Sequence, residues 1–162
     1  MMTGDQYRKS LCDGRATFFE GERVEDVAGL GAALGGDHTT VLPHPVPRVV
    51  STALPQLIVP VASLEALQNL PSGGTGSQLA QRLRAVGTDC AMCYTLETVD
   101  AGADAHCRMF APGLSVPEDP ATGSAAGALG AYLTAEGVLR PADGVVRLTV
   151  RSEEHTSELQ SQ

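Results

Sequence analysis

The run Gly123-Ser124-Ala125-Ala126-Gly127-Ala128-Leu129-Gly130-Ala131-Tyr132-Leu133 constrains the fold more than any other stretch of this chain. Its residues are small or apolar on every helical face, with Tyr132 the one aromatic. A helix without a polar face belongs in a protein interior. Each interior glycine costs about 1 kcal/mol relative to alanine, and close approach by surrounding backbone offsets that. The run therefore predicts a central apolar helix wrapped by a strongly curved mixed sheet, in an α+β fold.

The residues just upstream point to chemistry. Arg108 to Ala111 is strand-like, Pro112 to Pro120 is a turn carrying Glu118 and Asp119, and Thr122-Gly123-Ser124 opens the helix. The first N–H groups of a helix lack intrahelical partners and lie at the positive end of its dipole. A Thr-Gly-Ser step there can hold an anion such as a substrate carboxylate. Asp119 can supply acid/base or hydrogen-bonding chemistry. The plainer reading is that Asp119 caps the helix with Pro120 at its first position, and the two roles are compatible. Glu118 is expected to face solvent or a neighbouring loop.

Elsewhere the pattern is strands alternating with short helices. Residues 1–14 show no sustained period, Ala16 to Phe19 reads as a short strand, and Gly21 to Leu34 as a helix with Val24, Val27, Ala28, Leu30 and Leu34 on one face. Val46 to Val61 gives two β-branched runs with a bend at Ser51 to Pro55. Ser63 caps a helix to Leu70, and Thr75 with Gln78 has capping-box spacing for a helix to about Val86. The Gly73 to Gly76 cluster lacks the Lys-Ser/Thr ending of a phosphate loop and follows no strand. Ala91 to Val99 and His106 to Ala111 read as a hairpin, and Val145 to Val150 as the last strand.

With 162 residues, 43% of them apolar, the chain has enough hydrophobic material for a core. A net charge of −8 with 11 scattered basic residues argues against nucleic acid as a partner. No apolar run is long enough to span a bilayer, no secretory leader is read, and no basic amphipathic segment suggests a membrane surface. A reducing cytoplasm is the expected location. Cys90 and Cys93 form a C-x-x-C pair without a second pair at ligand spacing, in an apolar strand, so they read as core cysteines. His38 and His44 read as exposed loop residues, while His106 leads into the motif strand and is a further site candidate. No metal and no organic cofactor is expected.

Glu118-Asp119-Pro120-Ala121-Thr122-Gly123-Ser124-Ala125, with Arg108 to Pro112 before it and Leu129 to Leu133 after it, resembles the signature of the phenazine-biosynthesis PhzF-like isomerase/epimerase family. Ser51 to Val61 resembles a strand pair in that family's second half, so the likeness covers roughly residues 15–150. It implies a diaminopimelate-epimerase-like half, a curved sheet around a central helix. The full family fold has two such halves with the active site between them, and forms a homodimer. The first half, with its acid/base glutamate and Gly-His loop, has no counterpart in this sequence.

Carried across, the resemblance makes Asp119 and Ser124 catalytic, and Thr122, Gly123 and Ser124 substrate-binding, on a small carboxylate-bearing metabolite. Related cofactor-free epimerases use a cysteine near this helix start. None of the four cysteines lies there, so thiol-based two-base racemisation is disfavoured. Residues 151–162 break from the strand before them and read as a non-native polar tail, an assembly scar. The expected function is a fragment of a cofactor-independent isomerase; the alternative is a non-catalytic small-acid-binding or dimerisation module. An isolated half would be inactive and would expose an apolar cleft wall prone to self-association.

Overall fold

The computed structural model describes residues 19–152 except 53, 120–122 and 144. Among them, strands β1 (Phe19–Arg23), β2 (Arg48–Ser51), β3 (Pro55–Pro60), β4 (Ala91–Thr95), β5 (Ala105–Ala111), β6 (Val116–Asp119) and β7 (Val150–Ser152) form one mixed sheet. Neighbours run in the order β1-β2-β3-β4-β5-β6, with β7 beside β5. The β3–β4 and β5–β7 pairs are parallel, the others antiparallel. The helices are α1 (Val27–Ala33), α2 (Leu64–Gln68), α3 (Ser77–Ala85) and α4 (Gly123–Ala135).

Alternation along three central strands builds two cores. Leu57, Val59, Ala91, Cys93 and Phe110 point to one face and pack with Leu30, Leu67, Leu79 and Leu83 of α1, α2 and α3. Ile58, Met92, Tyr94, Cys107 and Met109 point to the other and pack with Ala125, Ala128, Leu129, Tyr132 and Leu133 of α4. Successive side chains leave a strand on opposite sides, so a strand buried on both faces reads as a continuous apolar run. Tyr94 and Tyr132 meet edge to face at 6.0 Å, and the Tyr132 hydroxyl donates to the Val46 carbonyl at 3.0 Å.

Helix α4 is buried along one side, not all round. Gly123, Ser124, Gly127 and Ala135 are exposed, and Ala126, Gly130, Ala131 and Thr134 are half-buried. Nor do its glycines admit close backbone. A Cβ on Gly127 would sit 3.6 Å from Thr52 Oγ1, and one on Gly130 3.9 Å from Leu148 Cδ2. The helix rests on a sheet that covers one of its faces, so small side chains on the other face meet little.

Several boundaries differ from the sequence pattern. The helix expected from Gly21 begins only at Val27, because Glu20 and Arg23 pair with β2 and the Asp26 carboxylate accepts from Gly29 N at 2.9 Å. Val24 and Val27 still pack on the core. The capping box at Thr75 does not form. Thr75 Oγ1 donates to the Ala33 carbonyl at 2.7 Å and Gly76 takes the cap position. Gly73, Gly74 and Gly76 all have positive φ, which accounts for the glycine cluster as a turn. Ser63 does cap α2, accepting from Ala66 N at 3.1 Å. The strand expected at 145–150 is displaced to 150–152, and the boundary drawn for a tail at 151 falls inside β7. Backbone pairing with β5 does not depend on side-chain polarity, and Arg151 adds an exposed ion pair to Asp100. Residues 1–18 and 153–162 lie outside the described residues.

Removing the glycine penalty on the open side should stabilise the chain. Gly130→Ala is expected to raise stability by roughly 0.5–1 kcal/mol in urea denaturation. A loss of stability would show that something closes on that side.

Candidate functional site

The two carboxylates expected together in one turn lie instead on a strand, β6, and alternation parts them. Glu118 turns toward the α2 side of the sheet. Its carboxylate takes both Arg108 Nε and Nη2 at 2.8 Å, with only 8% and 7% of the two side chains exposed. Arg108 Nη1 also donates to the carbonyls of Leu67, Gln68 and Leu70, at the C-terminal end of α2, and its guanidinium lies 5.0 Å from the Phe110 ring centre. Glu118 therefore does not face solvent. It completes a buried structural pair whose fork geometry satisfies both charges.

Asp119 is half-buried at the end of β6, opposite Met109 of β5, on the α4 side. Helix α4 is described from Gly123 and Asp119 lies in β6, while the expectation that Pro120 opens the helix falls outside the described residues. Ser124 is exposed in the first turn of α4. Its hydroxyl accepts from Gln56 Nε2 at 3.3 Å, and its carbonyl accepts from Thr52 Oγ1 at 3.3 Å. Gly123 is exposed beside it, and Thr122 lies outside the described residues. The end of β6 and the start of α4 thus present a carboxylate, a hydroxyl and the positive end of a helix dipole on one side of the sheet, an arrangement suited to binding an anion next to an acid/base group.

Cys90 lies near this place in space although far from it in sequence. It shares the α4-side core, and its thiol is pushed up by burial first, then by the charges of Asp89 and Asp119. A thiol so placed holds its proton and is a poor nucleophile. Cys93 faces the other core, so the C-x-x-C pair straddles the sheet and does not form one site. His106 is buried in β5 on the Arg108 side, away from Asp119, and His38 and His44 are exposed. Among the described residues, no group of three or more His, Cys, Asp or Glu is placed to hold a metal ion, and no helix is long and apolar enough to cross a membrane. Gln56 and Thr52 were not singled out as site residues. The one available signal was Gln56 itself, a lone amide within Leu54 to Val61.

The mixed sheet with helices on both faces and a site at the start of α4 places the chain in the α+β class. It belongs to the phenazine biosynthesis-like protein family, whose sequence model matches residues 17–160. It is similar to an uncharacterized isomerase of Mesorhizobium japonicum, 35% identical over 133 residues, and to an uncharacterized isomerase of Clostridium acetobutylicum, 30% identical over 133 residues. These alignments cover 77% and 80% of this chain but only 41% and 42% of the relatives, so the chain spans about two fifths of their length. Among solved structures it resembles a predicted epimerase from Pseudomonas aeruginosa, with TM-score 0.53 and 32% identity over 75% of this chain and 39% of that one. A Bacillus anthracis phenazine biosynthesis protein of the PhzF family shares the fold, with TM-score 0.57 and 24% identity over 73% of this chain and 38% of that one.

The buried thiols give a pH signature. Burial raises Cys107 to about 12, and Cys93 is raised too, by burial first. In the unfolded chain these thiols titrate near 9.0. Above that pH the unfolded state loses protons that the folded state keeps, so the contribution is complete below pH 9 and lost as pH rises toward 12. Stability should be level from pH 7 to 8.5 and then fall, by up to about 1.4 kcal/mol per pH unit for each buried thiol. Equal denaturation midpoints at pH 8 and pH 10.5 would contradict this.

Proposed function

We propose that this chain is the second half of a cofactor-independent isomerase of the phenazine-biosynthesis type, which moves a proton by acid/base catalysis on a small carboxylate-bearing metabolite. The observation that carries the reading is that half-buried Asp119 ends β6 on the α4 side of the sheet and exposed Ser124 stands in the first turn of α4. In this reading the Ser124 hydroxyl, the Gly123 backbone and Thr122 hold the substrate carboxylate. Asp119 hydrogen-bonds substrate and assists the proton transfer.

Family membership and relatives named as isomerases support the reaction class. The share of the relatives that is covered, near two fifths, supports a half with a partner half that supplies the main proton carrier. A cytoplasmic homodimer of the full protein belongs to the same reading.

The test uses the full-length protein containing this segment, incubated in deuterated water with small carboxylic acids bearing an acidic C–H. Asp119→Asn should slow C–H exchange at least about 100-fold, and Ser124→Ala should raise KM more than it lowers kcat. Exchange that continues unchanged in Asp119→Asn would remove Asp119 from the mechanism.

A further inference from the structure

Gln56 is an unusual residue to bury. It sits in β3 opposite Val50 of β2, on the same face as Ile58, and is 0% exposed. Its Nε2 donates to Ser124 Oγ at 3.3 Å, while its Oε1 is buried with no hydrogen-bond partner among the described residues. A buried carbonyl oxygen without a donor is destabilising. An apolar side chain of the same size would fill the space without that penalty. What the amide contributes is therefore its bond to Ser124.

We propose that Gln56 is a positioning residue for the anion site, which sets the Ser124 hydroxyl as an outward donor to a bound carboxylate. The proposal rests on the reading of Ser124 given above. A serine hydroxyl has one hydrogen to donate and two lone pairs that accept. With Gln56 N–H occupying a lone pair, the hydroxyl hydrogen cannot turn back toward that donor and is left for the exposed side of the helix start. Thr52 Oγ1, donating to the Ser124 carbonyl, steadies the same turn. This polarity suits an acceptor such as a carboxylate. A cationic amine would need the amide turned over, with Oε1 accepting the hydroxyl hydrogen and Oγ facing the ligand as acceptor. Gln56 thereby acts as a specificity determinant for acids over amines at Ser124, and it does so entirely through that side chain.

Binding of benzoate, a simple carboxylate, to the full-length protein containing this segment tests this by NMR titration. Gln56→Met, which keeps the volume, should weaken benzoate binding about 5-fold, as expected for one lost hydrogen bond. Ser124→Ala should weaken it at least as much, and the double variant should bind no worse than Ser124→Ala alone. A general structural role would weaken binding in both backgrounds. A folded Gln56→Met that binds like the unmodified protein overturns the proposal, as does an effect that persists in Ser124→Ala. If Ser124→Ala binds normally, or the unmodified protein binds no benzoate, the reading of Ser124 falls and the proposal with it. A second measurement does not depend on Gln56→Met folding. Benzoate should shift the Gln56 side-chain amide resonance of the unmodified protein, and Ser124→Ala should abolish that shift; an amide resonance unmoved by bound benzoate overturns the proposal.

Discussion

Everything in this structure depends on three adjacent strands, β3, β4 and β5, that are buried on both faces. Their alternation assigns each residue to one of two cores, and each core needs its own helices. Three short helices cover one face and α4 covers the other. The same alternation, continued into β6, sends Glu118 and Asp119 to opposite sides. One carboxylate becomes part of the fold and its neighbour part of the candidate site.

The Arg108–Glu118 pair shows what that division requires. A guanidinium inside a protein is tolerable only when its donors are met, and here they are met by a carboxylate and by carbonyls at the end of α2. The pair therefore ties β5, β6 and α2 together directly behind Asp119. On the opposite side, Gln56 and Thr52 hold the first turn of α4 through Ser124. The site is thus fixed from two directions, by a charged clamp beneath the strand and a polar contact beneath the helix.

The chain belongs to the phenazine biosynthesis-like family and spans about two fifths of the length of the isomerase relatives that it matches. Helix α4 has a packed side and an open one. Its inner side is packed against Tyr94 and Met92, while Gly127 lies open on the outside.

Sequence pattern alone specified the strands of the central sheet, the bend between β2 and β3, the Ser63 cap and the presence of α4. These rest on local properties: apolar runs, turn residues and side chains that cap their own helix. Which way each residue faces, and what it meets, follows from how the elements pack. Short α1 yielded to strand pairing at Glu20 and Arg23, and Thr75 left its cap for the Ala33 carbonyl. The last strand moved to 150–152, where β5 offered backbone partners. Glu118 found Arg108, and Gln56 found Ser124, 68 residues away. Such pairings leave no periodic trace in a sequence, because they are made between elements that the chain brings together only when both cores close.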